Sequence, residues 1–361
     1  MSSINKTQEY IAAFGKEGLL DKYKDFQSHH RLSIIKQSLN YGEEGINFLF
    51  SVLKDEQELP HIRNGVYDIL LSKYGNLINY VNNYVKLPIR EFRQEQLDIK
   101  KFTFETVTTN NKGEIVSSSQ HSANYFIEDL GDGIKLEMVR IPEGKYVMGS
   151  GDQRCDWEFP EHKVNVKTFF MGKYPVTQEQ YVAVTGKNPS TFQGDKLPVE
   201  SISWNNAMSF CEELTKRTGK TYTLPSEAQW EYACRAGTRS PFYFGESINT
   251  DLVNYNGNYS YGLVHKEKYR QKTVEVGLIP NAFGLYNMHG NVSEWCLDDW
   301  NSNYEGAPND GSAWLNVNSR WKVVRGGAWS TSPQDCRSAS RGLNMADSSY
   351  NDIGFRLVFN P

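Results

Sequence analysis

Leu224-Pro225-Ser226-Glu227-Ala228-Gln229-Trp230-Glu231-Tyr232-Ala233 starts a helix at its third residue. The Ser226 hydroxyl and the Gln229 amide, three positions apart, can each satisfy a backbone N–H that the first turn leaves without a partner. The pattern predicts a helix from Glu227 to Arg235, stopped near Gly237. Upstream, Thr177-x-x-Gln180 repeats the signal and predicts a helix from about Gln178 to Thr185, ended by Gly186. Between the two, Ala207, Phe210, Cys211 and Leu214 form an apolar stripe at helical spacing before Gly219. Cys211 and Cys234 fall on apolar helix positions and are expected in the core.

Working outward, the texture changes near residue 100. Phe102, Phe104, Thr106 and Thr108 alternate with Thr103, Glu105 and Val107, and Asn110-Asn111-Lys112-Gly113 offers a turn. Glu114 to Ser118 can then return as a partner strand. From there to the C-terminus the reading is short strands, a few helices and much irregular chain. Before residue 100 the pattern is helical. Ile46, Leu49, Phe50 and Leu53, then Ile62, Val66, Ile69 and Leu70, then Leu77, Val81 and Val85 recur at helical spacing. Breaks at Asn40-Tyr41-Gly42, Leu59-Pro60 and Tyr74-Gly75-Asn76 separate these runs. Residues 1–100 are therefore expected to be a helical domain, either HEAT-like helix pairs or a plain bundle, serving as a scaffold or docking module. Residues 101–361 form the second domain.

Composition narrows the function classes. With 39% hydrophobic and 23% charged residues among 361, the chain can bury a core. A formal net charge of −4 gives no electrostatic footprint for nucleic acid or an anionic membrane surface. No apolar run reaches the length of about 18 residues that a membrane span needs. The opening residues show no basic segment followed by a long apolar stretch. The five cysteines are scattered, without a CxxC pair. Free thiols in a reducing, cytoplasmic setting are the expectation. Asn291-Val292-Ser293 then reads as a chance match to a glycosylation sequon. Asp298, Asp299 and Asp310 read as a solvated acidic loop rather than a metal cluster.

Several segments fall in a familiar order: Met138-Val139-Arg140-Ile141-Pro142-Glu143-Gly144, Tyr174-Pro175-Val176-Thr177-Gln178, the Leu224–Ala233 stretch, Asn281-Ala282-Phe283-Gly284-Leu285-Tyr286-Asn287-Met288-His289-Gly290-Asn291-Val292-Ser293-Glu294-Trp295, Arg325-Gly326-Gly327-Ala328-Trp329 and Gly354-Phe355-Arg356. Together they resemble the formylglycine-generating (sulfatase-modifying factor) family over about residues 125–361. The resemblance implies an α+β, C-type-lectin-like fold with little regular secondary structure, here preceded by the α-helical domain. Fold alone does not settle function.

Members that make formylglycine hold copper(I) with two cysteines after the Arg-Gly-Gly motif. A soft cation suits a pair of thiolates. Here Thr331 stands near the first of those positions and the second has no counterpart. Cys336 matches a different, structural cysteine. Iron-dependent sulfur-transfer relatives bring histidines from a helical domain. This chain offers His29, His30 and His61, and the adjacent pair would diverge by about 100° on a helix. All three are read as ordinary surface or partly buried histidines. The enzymatic alternative is an oxidoreductase of the same family with an altered active site.

The C-terminal segment also resembles the variable proteins of diversity-generating retroelements. Arg325-Gly326-Gly327, Trp329, Pro333, Cys336-Arg337-Ser338-Ala339, Arg341 and Ile353-Gly354-Phe355-Arg356 match their frame. Between them lies a polar mixture with neither strand nor helix period, as an exposed loop surface would show. The resemblance implies a non-catalytic protein or peptide binder. Its ligand-binding face would comprise Ser330, Thr331, Ser332, Asp335, Ser340, Leu343, Asn344, Met345, Ser349, Tyr350, Asn351 and Asp352. Leu343, Met345 and Tyr350 are the expected anchors, with Trp329 packed beneath. No cofactor is required. The family also implies a structural calcium ion held by Asn287, the Gly290 and Val292 carbonyls, and Glu294. A second calcium position would call on Asn254 and the Tyr255 carbonyl, with an acid near Arg270 where this chain has Lys268 beside Glu267.

Overall fold

The computed structural model describes residues 97–361, apart from 152–155 and 317–318, together with Ile35, Phe48, Leu49, Ser51, Val52, Ile62 and Val66. Those isolated positions are helical. The rest of the helical domain expected over 1–100, with His29, His30 and His61, lies outside the described residues. By contact density the chain divides into two units, one of residues 1–97 with 315–318 and one of 98–314 with 319–361. The second unit carries the site.

It begins with the expected hairpin. Strands β1 (Lys100–Thr109) and β2 (Ile115–Asp129) pair antiparallel, with Phe102 opposite Ala123 and Phe104 opposite His121. Their turn closes as Gly113 N–H donates to the Asn110 carbonyl. β2 runs well beyond the Ser118 read from sequence. β3 (Lys135–Ile141), β6 (Phe169–Gly172), β12 (Val358–Phe359) and β7 (Tyr222–Thr223) complete a six-stranded sheet in the order β1-β2-β3-β6-β12-β7. The chain's last strand therefore sits inside the sheet its first strands began. β4 (Gly144–Met148) and β5 (His162–Val166) form a separate ribbon.

Three helices follow the capping logic. α1 (Gln178–Thr185) opens on the Thr177/Gln180 capping box and ends at Gly186 in the left-handed region. α2 (Trp204–Thr218) is capped by Ser203 and ends at Gly219. α3 (Glu227–Arg235) opens on the Ser226/Gln229 capping box. It ends at Arg235, as read from sequence, with Ala236 rather than Gly237 taking the left-handed cap. Cys211, Cys234, Cys296 and Cys336 are all buried and free.

A second sheet frames the site. Its order is β10-β9-β8-β11, built from β10 (Arg341–Met345), β9 (Trp321–Arg325), β8 (Ser293–Asp299) and β11 (Ile353–Gly354). Between the sheets, Val139, Phe169, Met171, Trp230, Leu285, Met288, Cys296 and Val323 pack into one buried cluster. Among the described residues no helix is long and apolar enough to cross a membrane.

Candidate functional site

The C-terminal segment is anchored by arginines whose partners come from distant chain. Arg341 bonds both oxygens of Glu227, Nε to Oε1 at 2.6 Å and Nη2 to Oε2 at 2.8 Å. Arg325 reaches Glu231 and the carbonyls of Ser338, Ala339 and Ser340. Arg337 holds Glu158 at 2.7 and 2.9 Å, and Arg356 holds Glu294 at 2.6 and 2.7 Å. Glu227 and Glu231 sit on α3, so the helix that opens at Ser226 positions the carboxylates that receive the tail. Charge-assisted forks of this kind fix geometry as well as energy. Burial alone would raise the Glu227 carboxyl, but Arg341 and Arg325 outweigh it and hold the group below its ordinary value.

Gly326 and Gly327 turn the chain from β9 into the loop, both with positive φ. A Cβ on Gly327 would lie 2.6 Å from Cys336 Sγ and 3.0 Å from the Asp335 carbonyl. The turn thus seats Cys336 against backbone, where no larger residue fits. Burial pushes the Cys336 thiol up to about 12. Its sulfur lies 3.8 Å from Thr331 Oγ1 and 3.7 Å from the Ser332 carbonyl. One protonated thiol beside a hydroxyl and a carbonyl does not match the two thiolates that copper(I) calls for.

From this frame the segment opens a cavity of about 300 Å³. Of the expected ligand residues, Thr331, Asp335, Ser340, Leu343, Asn344, Tyr350 and Asp352 line it. Ser330, Ser332, Met345, Ser349 and Asn351 lie outside the lining but retain solvent access. Ser340 departs from the expectation of an exposed position: it is buried, though it lines the cavity. Arg341, read as frame, also lines it. Trp329 is half-buried. Its indole N–H donates to the Asn351 carbonyl, and its ring meets Phe192 edge-on and stacks with Tyr269. It props the loop from below while keeping one side to solvent. Ser330 donates to Asp352 at 2.5 Å, tying the two ends of the loop together. Burial chiefly, with a smaller effect of the Asp352 charge, pushes the Glu200 carboxyl up.

The calcium expectation meets a different arrangement. Glu294 is buried against Arg356 and also accepts from Trp230 Nε1 at 2.8 Å, and Asn287 Oδ1 accepts the Gly277 N–H. The cation facing this carboxylate is a guanidinium that engages both its oxygens, so Glu294 as placed does not fit the role of a calcium ligand beside Asn287, Gly290 and Val292. At the second position, Asn254 Oδ1 is buried without a hydrogen-bond partner. Glu267 nearby is already engaged by the Thr250 N–H and the Tyr255 hydroxyl. Asp298 and Asp299 also correct the sequence reading, since both are buried on β8 rather than solvated. Asp298 accepts the backbone N–H groups of Glu227 and Trp314, and Asp299 pairs with Lys322 at 2.6 Å. Asp310 alone is exposed.

Residues 133–361 match the model of the sulfatase-modifying factor enzyme 1-like domain, FGE-sulfatase. The chain belongs to this family. Its fold is similar to Treponema denticola variable protein 1, with a TM-score of 0.58 and 25% identity, covering 66% of this chain and 99% of that one. In sequence it is 29% identical to the chaperone protein LppX of Paenibacillus barcinonensis, over 59% of this chain and 87% of that protein. It is 26% identical to the formylglycine-generating enzyme of Mus musculus, over 62% of this chain and 74% of the enzyme. The proteins this chain is similar to thus include a named enzyme and a protein named for its variability, and the lectin-like α+β fold accords with both likenesses.

Proposed function

We propose that this family member is a non-catalytic recognition protein whose binding face is the 330–352 segment, diversified in the manner of a retroelement variable protein. The observation that carries the reading is the division of labour within 325–356. The residues matching the variable-protein frame are mostly buried or paired, whereas those between them are mostly solvent-accessible, and seven of the twelve expected ligand residues line one cavity. Surface substitutions away from special features usually change stability by no more than about 0.5 kcal/mol, so such positions can be rewritten without losing the fold. The likeness to a protein named as variable supports the same reading. A protein or peptide is the favoured ligand, because half-exposed Leu343, exposed Met345 and exposed Tyr350 offer apolar contact amid adaptable Ser and Asn side chains. Four buried free thiols accord with a reducing, cytoplasmic setting.

The test selects binders from a displayed library of random linear peptides with the full chain as bait, then measures them against the variant Leu343→Ser, Met345→Ser, Tyr350→Ser. The expected result is loss of binding with little change in thermal stability. A large stability loss would mean that these side chains are core. Membership in a family with named enzymes keeps one alternative in view, an oxidoreductase with an altered site. Copper titration with oxygen uptake on cysteine-containing peptides tests it. Stoichiometric copper and turnover would replace the binding reading.

A further inference from the structure

The sheet that frames the cavity ends at β10, which has β9 on one side and, among the described residues, no strand on the other. Its hydrogen-bond phase can be worked out. The Ala346 N–H donates to the Arg320 carbonyl at 2.8 Å, which makes those opposed residues a bonded pair. Opposed residues of an antiparallel ladder alternate between bonded and non-bonded pairs. Asn344 and Gly342 therefore bond Lys322 and Val324, while Leu343, opposite Val323, turns its N–H and C=O to the outer edge. The other side of β9 agrees, because the Trp321 carbonyl points away from β10 and accepts the Trp300 N–H. Among the described residues no bond from outside the β9–β10 ladder reaches the main chain of Leu343. The residue is only half-buried. An unpaired edge of this kind is a template for another strand.

The same edge borders a cavity with uncompensated negative charge. Asp335 and Asp352 line it, and their side-chain partners are Ser332 and Ser330, not cations. Both arginines in the lining are committed elsewhere, Arg325 to Glu231 and Arg341 to Glu227. Tyr350, 49% exposed, lines the same cavity. At the end of the edge, Trp321 and Met345 stand directly opposite each other with 44% and 40% of their surfaces exposed. Open main-chain groups, an anionic cavity, an aromatic ring beside it and an apolar pair at one end are the parts needed to read an extended basic peptide.

We propose, building on the binding face assigned above, that the ligand is an extended peptide segment that adds to the outer edge of β10 as a further strand and places a Lys or Arg side chain in the cavity between Asp335 and Asp352. Main-chain bonds to Leu343 supply affinity that does not depend on the diversified side chains. The cavity supplies selectivity for the basic residue. Diversification could then change the side-chain preference while the strand-addition mode persists.

The experiment uses synthetic peptides made from the clones selected on the full chain. Each peptide is N-methylated one residue at a time, and its basic residue is replaced by Met. Binding is read by fluorescence anisotropy. The expected result is a loss that alternates with a period of two along the peptide, because only every second N–H faces β10. Replacing the basic residue, or making Asp335→Asn with Asp352→Asn in the protein, is expected to weaken binding by about tenfold or more. Peptides that lose binding on the Leu343/Met345/Tyr350 triple variant yet show no alternation would overturn strand addition and leave the binding face standing. Binding unchanged by the triple variant, or no selectable peptide at all, would count against both. Equal binding after the basic residue is replaced by Met would remove the cationic anchor.

Discussion

Within 325–356 two sets of residues share one stretch of backbone and face opposite demands. Arg325, Arg337, Arg341 and Arg356 are each tied to a carboxylate far away in sequence, Glu231, Glu158, Glu227 and Glu294. Met345, Ser349 and Tyr350 are exposed, and Leu343 and Asn344 are half-buried. The first set carries the energy of holding the tail in place and the second can vary. Because the arginines bond through side chains reaching into the core, the loop's course does not depend on what lies between them. A binding surface can therefore be altered without renegotiating the fold, provided the two sets are as independent as their surroundings suggest.

The largest expected effect comes from breaking a buried pair. Arg356→Met leaves Glu294 with its negative charge in the core and only Trp230 to bond it. Removing one partner of such a pair typically costs about 3–5 kcal/mol. Urea denaturation should show a loss of this size. A loss below about 1 kcal/mol would mean the frame is not what fixes the tail. Next in size is Gly327→Ala, which places a methyl 2.6 Å from Cys336 Sγ at a backbone conformation L-residues rarely adopt. Overpacking usually costs about 1–3 kcal/mol, and the thermal midpoint should fall accordingly. Reactivity of Cys336 toward a thiol reagent would rise in the same variant if the seat is opened.

How much of this was legible in the sequence follows the range of the interactions. The helix starts at Thr177 and Ser226 are four-residue signals, and the structure bears both out with their capping boxes. The β1–β2 hairpin could be read from its alternation and turn. The polar mixture after Trp329 could be read as surface because it lacks any period. What local pattern could not show was partnership across the chain. Asp298 and Asp299 look solvated as neighbours in sequence, yet one caps the start of α3 through the Glu227 N–H and the other meets Lys322 across the sheet. The family resemblance implies Glu294 as a calcium ligand, and no local pattern shows that Arg356, 62 residues later, pairs with the same carboxylate. Ser340 reads as surface because nothing local reveals that Arg325 reaches its carbonyl from the core.

A smaller effect separates the two sets by pH. Burial would raise the Glu158 carboxyl, but its bonds to Arg337 and Ser150 prevail and hold it below its ordinary value near 4.5. A carboxylate with a depressed folded pKa contributes stability that is present above the unfolded value and lost as pH falls through the folded one. Stability should therefore drop as pH falls below about 4.5, and Glu158→Gln should flatten that part of the profile. Met345→Ser, on the exposed set, removes no titratable group and should leave the profile unchanged there. An equal change in both variants would show that the exposed set is coupled to its frame.

The smallest expected effect is the most exacting for the comparison. Tyr350→Ser removes a side chain with 49% of its surface in water and no side-chain hydrogen bond among the described residues. The change should alter unfolding free energy by no more than about 0.5 kcal/mol. Yet the Tyr350 carbonyl accepts the N–H groups of Ser201 and Ile353, so the backbone at this position belongs to the frame. If the side chain is free and the backbone is not, Tyr350→Ser will be silent while Ser201→Pro, which deletes one of those donors at a residue with positive φ, will be costly. Finding Tyr350→Ser as damaging as Ser201→Pro would mean that the ring helps hold its own loop, and the segment could not then be rewritten without loss of stability.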